Sequence, residues 1–143
     1  MKIEVSNGEI VDKFTILRIK ESNIKDKSKL NNIKNELDEL LPYVKSLGIV
    51  ESTSNTGFPY YQDILNDIQT SEYYHSLLDV NKKLWKIEDD IRDKEKRKEF
   101  DDEFINVARS VYFLNDKRAK VKKQINEKTN SNLVEEKSYS EIE

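Results

Sequence analysis

The chain reads as an all-α protein, a helical bundle built on a long antiparallel helical hairpin, with a short extended N-terminal arm and a C-terminal tail. Three observations predict that class. Phe100, Phe104, Val107, Val111, Leu114, Val121 and Ile125 recur in alternating steps of four and three, which puts them on one helical face. Leu30, Ile33, Leu37, Leu40, Val44 and Leu47 keep an unbroken heptad. The chain holds only three glycines and two prolines, and neither type occurs between Ser71 and Thr129, so nothing there breaks a helix. At 143 residues the chain suits a single domain over 1–143 that buries roughly two-thirds of its unfolded surface.

Residues 1–5 read as the extended arm. Ser6-Asn7-Gly8-Glu9 has the form of a capping box, the Ser6 hydroxyl taking a backbone N–H and Glu9 reaching back. It predicts a helix over 7–24 with Ile10, Phe14, Leu17 and Ile24 toward the core. The second helix is expected over 28–47 and stops at Gly48, a left-handed cap residue. Pro42 removes its hydrogen bond to the carbonyl of Asp38, which predicts a kink or a frayed last turn. Residues 49–59 are rich in Ser, Thr, Asn, Gly and Pro and read as a mobile flap, followed by a short amphipathic helix over 60–68. A single helix over 71–129 would be about 90 Å long at 1.5 Å per residue, so it must fold back. Asp101 or Asp102 offers a new cap, giving limbs 71–97 and 101–128. The tail, 129–143, is polar apart from Leu133 and Val134 and is expected to dock as an extended strand or stay loose.

Composition removes several functions. With no cysteine and a single histidine, His75, the chain offers no disulfide, no thiolate site and no multi-histidine metal site. No metal and no cofactor is implied. Neither a signal-like leader nor about 18 consecutive apolar residues occurs, so no membrane association is expected and a reducing cytoplasmic setting is. Charged residues make up 37% of the chain but the net charge is only -3. The short basic run Lys117, Arg118, Lys120, Lys122, Lys123 on an acidic chain does not predict nucleic-acid binding.

The informative anomaly lies inside the apolar faces. Where the heptad of the last helix demands an apolar side chain it has Arg118, with Asn115 and Lys122 within about 60° of it. In the limb 71–97, Asn81, Glu88 and Arg92 fall in the gap between Leu77, Leu84, Ile87 and Ile91 on one edge and Leu78 and Trp85 on the other. The first helix sets Glu9, Lys13 and Lys20 beside its core stripe, while Arg109, Tyr112, Asn115 and Asp116 form a second polar strip. Unpaired buried charge costs several kcal/mol, so these groups must pair, hydrate or meet a ligand. The expectation is an interhelical, cation-rich site for an anionic small molecule: a phosphate, a carboxylate or a nucleotide-sugar. Its residues are Glu9, Lys13, Lys20, Glu88, Arg92, Arg109, Tyr112, Asn115, Arg118 and Lys122.

Competing readings stay open. Glu9 and Glu88 can instead neutralise Arg92 and Arg118 in a structural network while the lysines reach water. A helical adaptor would use the exposed face of the second helix or the flap for a protein partner, and the second heptad can equally make a homodimer. Glu9 with Asp12 and Glu36 with Glu39 have the carboxylate spacing of magnesium-dependent helical nucleotide pyrophosphohydrolases. Such spacings arise by chance among 28 acidic residues, and Glu36 and Glu39 face solvent in their heptad. A chorismate-mutase-like bundle is only superficially suggested, because the order of its active-site residues is not reproduced.

The segments KIEVSNGEIVDKFTILRIK, LWKIEDDIRDKE, FINVARSVYFLNDKRAKVKKQIN and LVEEKSY resemble an uncharacterised family of short helical proteins. That family is associated with bacteria and large aquatic viruses, some members being encoded near sugar-transfer or surface-polysaccharide genes. The resemblance covers both ends and the hairpin, and not 25–74. Its motif positions are Gly8, Glu9, Asp12, Lys13, Lys20, Trp85, Glu88, Arg92, Arg109, Tyr112, Asn115, Asp116, Arg118 and Lys122. They overlap the inward polar lines, which implies a shared site without supplying an activity.

Overall fold

The computed structural model describes residues 1–48 and 68–142. Within them lie four helices and no strand: α1 (Asn7–Asn23), α2 (Lys27–Ser46), α3 (Ile68–Arg97) and α4 (Asp102–Lys128). The class is the all-α bundle read from the sequence. The flap expected at 49–59 and all but the last residue of the helix expected at 60–68 lie outside the described residues.

Several helix ends have a local cause. Ser6 caps α1, its hydroxyl accepting from the Glu9 amide at 3.2 Å. The second half of the expected capping box does not form, because the Glu9 carboxylate turns to Lys122 instead, 2.7 Å away. Asp26 caps α2 by accepting from the Lys29 amide at 2.9 Å. Pro42 sits inside α2 and the helix still runs to Ser46. Gly48 then has φ 73, the left-handed conformation expected of it. At the hairpin turn Lys98 takes φ 56, and Asp101 caps α4 through the Phe104 amide at 2.9 Å. Lys94, 5% exposed, closes this turn with Glu103 at 3.1 Å, Asp101 at 3.2 Å and Glu99 at 3.6 Å around its ammonium.

α3 and α4 form the antiparallel hairpin, and α1 packs on both limbs near its open end. α2 packs on α1, so among the described helices α1 is the one that touches the other three. The core joins Val11, Phe14 and Leu17 of α1, Leu37 and Val44 of α2, Tyr74 and Leu77 of α3, and Val121 and Ile125 of α4. The stripe predicted for the last helix is therefore core only at its C-terminal end. Phe104, Val107, Val111 and Leu114 are half-buried and Phe100 is 56% exposed. The reason is length. α1 spans about 25 Å against about 40–45 Å for the hairpin limbs, so the far end of the hairpin is a two-helix seam with open flanks.

Gly8 marks the closest approach of α1 to α4. A Cβ built there would stand 2.5 Å from the Lys122 carbonyl oxygen, and the Gly8 amide donates to Asn126 Oδ1 at 2.6 Å. Since the obstacle is backbone, it cannot swing aside. Gly8→Ala is expected to destabilise the fold by about 1–3 kcal/mol through overpacking, despite the roughly 1 kcal/mol that alanine gains over glycine within a helix. Urea unfolding of the variant beside the wild type measures it.

Candidate functional site

The polar groups converge on Asp12, a carboxylate only 1% exposed. Arg118 reaches it from α4 with two parallel bonds, Nε at 2.9 Å to Oδ1 and Nη2 at 2.5 Å to Oδ2. Asn81 reaches it from α3, its Nδ2 donating to Asp12 Oδ1 at 2.9 Å and to Thr15 Oγ1 at 2.8 Å. Thr15 in turn donates to the Asp12 carbonyl at 2.7 Å. The bond to Asp12 raises the Arg118 pKa against an opposing loss of water, so the guanidinium stays charged. The carboxylate that neutralises Arg118 is thus Asp12, and not Glu88 or Glu9 as the sequence suggested.

One turn along α4, Lys122 lies between two carboxylates, Glu9 at 2.7 Å and Glu135 of the tail at 3.0 Å. Burial opposes its charge, but the hydrogen bonds to Glu9 and Glu135 outweigh it and its pKa is raised. Glu135 also accepts from Lys137 at 2.7 Å. Lys137 and Lys122 together hold the Glu135 carboxyl down to about 2.

Beside these cations runs a groove of about 970 Å³, between α4, the start of α1 and the tail. Tyr112, Asn115, Arg118 and Lys122 line it from α4, Glu9 from α1, and Glu135 and Tyr139 from the tail. Five of the ten predicted site residues meet there: Glu9, Tyr112, Asn115, Arg118 and Lys122. The other five stand apart. Glu88 and Arg92, expected to point inward, are exposed and pair with each other at 3.2 Å, because among the described residues no third helix packs on the seam at their level. Lys13 is exposed and faces Glu36 of α2 at 3.6 Å. Lys20 is half-buried on α1, Arg109 is exposed on α4, and neither lines the groove.

Asp12, Thr15, Glu135 and Tyr139 were not among the predicted site residues. Asp12 did stand out in the sequence, as half of the Glu9/Asp12 carboxylate pair and as a motif position of the resembled family, but neither signal marked it as the partner of Arg118. Of the two carboxylate pairs with magnesium-like spacing, Glu9 and Asp12 face Lys122 and Arg118, and Glu36 lies 3.6 Å from Lys13 at the surface. Among the described residues no group of three or more His, Cys, Asp or Glu is placed to hold a metal ion. None of their helices is long and apolar enough to cross a membrane.

Fold and groove together define an all-α protein with a buried charge network beside a polar, tail-lined cleft. Residues 59–142 match a family of unknown function, DUF6165, and the chain belongs to it. The match takes in α3, α4 and the tail, of which α4 and the tail are the long walls of the groove, while Glu9 and Asp12 precede it. No curated protein and no solved structure matches the chain.

Two outcomes follow from this geometry. Arg118→Ala strands a buried carboxylate and is expected to lose about 3–5 kcal/mol, whereas replacing both partners by apolar residues, Asp12→Leu with Arg118→Met, restores most of it. Chemical unfolding of the single and double variants gives both values. For Glu135 the folded pKa is depressed below its free value, so the stabilisation it gives is complete above about pH 4.5 and lost as pH falls toward about 2. A carbon-detected NMR titration of the Glu135 carboxyl checks it, and a midpoint near that of a free glutamate would show that the tail is not held.

Proposed function

We propose that the protein binds an anionic small molecule in this groove, a phosphate or carboxylate compound carrying a ring, nucleotide-sugars included. The carrying observation is the state of Arg118. Its Nε and Nη2 are committed to Asp12, its side chain is 29% exposed, and Nη1 has no hydrogen-bond partner among the described residues. A guanidinium fixed from behind with donors left over on a cleft is a preorganised anion receptor, since little entropy remains to be lost when an anion arrives.

Glu9, Asp116, Glu135 and Glu141 also line the groove alongside Arg118, Lys122 and Lys137, so an anion competes with them there, while other lining groups suit such a ligand. Asn115 supplies an amide that donates and accepts, and Tyr112 and Tyr139 offer ring faces on which a planar or sugar ring can pack. The groove lies within the size range of small-molecule sites.

Titration with inorganic pyrophosphate and with a nucleoside diphosphate, followed by NMR, tests the reading. Both the Arg118 Nε–H and the Tyr112 ring resonances are expected to move, the nucleotide giving the larger effect on Tyr112. Tyr112 and Asn115 are exposed, so Tyr112→Ala and Asn115→Ala keep the fold and should each weaken binding roughly fivefold, the worth of one ordinary contact. Millimolar amounts of both probes leaving both signals unmoved would sink the proposal.

A further inference from the structure

The tail is anchored in two different ways along its length. Up to Ser131 it is tied by backbone: the Ser131 amide donates to the Asn126 carbonyl at 2.9 Å, and the Ser131 hydroxyl accepts from the Asn7 amide at 2.9 Å. From residue 133 onward its hydrogen bonds and ion pairs to the helices, among the described residues, are those of Glu135 to Lys122 at 3.0 Å and Glu136 to Lys123 at 3.3 Å. Residues 132–142 are all exposed. This segment therefore lies on α4 by electrostatics, running back along it so that Tyr139 and Ile142 reach the level of Tyr112 and Asp116.

The surface it covers is the basic run that the sequence singled out. Lys122 and Lys123 are paired to the tail, while Lys117 and Lys120 on the same stretch are exposed and make no ion pair among the described residues. An anion arriving at Arg118 Nη1 enters a space where Glu135 already holds Lys122. Lys122 already holds two carboxylates, Glu9 at 2.7 Å and Glu135 at 3.0 Å, so an arriving anion brings a third negative charge to one ammonium and is repelled unless one of the two leaves. Glu9 is fixed in α1, whereas Glu135 stands on an exposed segment held by individually weak ion pairs, so the tail is the partner that yields.

We infer that the C-terminal tail from residue 133 is an exchangeable strap, an internal anion that sits on Lys122 and Lys123 and competes with the groove's ligand for them. The inference rests on the anion-binding reading above and adds its regulation. Ligand affinity is lowered by the fraction of time the strap is closed, and ligand binding lifts the strap by the same factor.

The test uses the full chain, its Glu135→Gln/Glu136→Gln variant and inorganic pyrophosphate as the probe. Two quantities are read: heteronuclear NOE values over residues 133–142, and pyrophosphate affinity by calorimetry. In the wild type, saturating pyrophosphate should lower the tail NOE values more than sodium chloride at equal ionic strength. In the variant they should be low without any anion, and affinity should rise about two- to fivefold for each ion pair removed. A rigid tail in pyrophosphate-saturated wild type, or equal affinity of the two proteins, overturns the strap and leaves the anion site standing. If pyrophosphate binds neither protein although the variant's tail has loosened, the anion site fails and the competition fails with it.

Discussion

A carboxylate with 1% exposure sits where three helices meet, and the arrangement of those helices follows from satisfying it. Removing an ion from water costs several kcal/mol, which only close partners can offset. Asp12 has them from two directions, Arg118 on α4 and Asn81 on α3. A slip of α4 by one residue would rotate Arg118 by about 100° and take it off the carboxylate. Apolar packing tolerates such a slip far better. The network therefore specifies register where the hydrophobic stripe alone would leave it loose. The contact of Gly8 with Asn126 adds a second fixed point on the same pair of helices, with an otherwise orphaned helix-terminal amide as its donor.

The groove is a consequence of that packing. Arg118 has more donors than Asp12 can accept, so a residue placed for structural reasons presents its remaining N–H groups to the cleft. Lys122, one turn on, faces the same space. Their partners differ in kind: Asp12 is sealed from solvent, while Glu9 and Glu135 are roughly half exposed. Salt and competing anions act weakly on a buried pair and strongly on an exposed one. Within one helical turn α4 thus carries one cation with a permanent partner and another whose partners can be exchanged.

What the sequence made legible was local. The caps at Ser6 and Asp101, the left-handed Gly48 and the fold-back at 98–101 each depend on a few neighbouring residues, and each is found where those residues require it. Arg118 stood out because an arginine on an apolar stripe is costly wherever the helix goes. Its partner was illegible because α1 is sandwiched between α2 and the hairpin. Burial of Val11, Asp12, Phe14, Thr15, Leu17 and Ile19 wraps around the helix, so a wheel with one inner face set Asp12 aside. The errors at Phe100, Glu88 and Arg92 have the opposite origin. Periodicity reports which face a helix would bury and not whether anything lies opposite, and α1 ends before it reaches them. Glu135 and Tyr139 escaped because an extended polar tail has no period to read.

The tail's position follows from how charge is distributed along α4. Asp102 and Glu103 occupy its first turn, and the basic residues from Lys117 to Lys128 gather in its last three turns, each sign at the end of the helix dipole that favours it. A chain leaving the C-terminal end of such a helix meets a basic surface at once, and one carrying Glu135 and Glu136 is drawn back along it. Polarity that stabilises the helix therefore also creates the surface on which the tail lies. The same charge that folds the tail down is what an incoming anion would seek, and the groove and its cover arise from a single feature of the sequence.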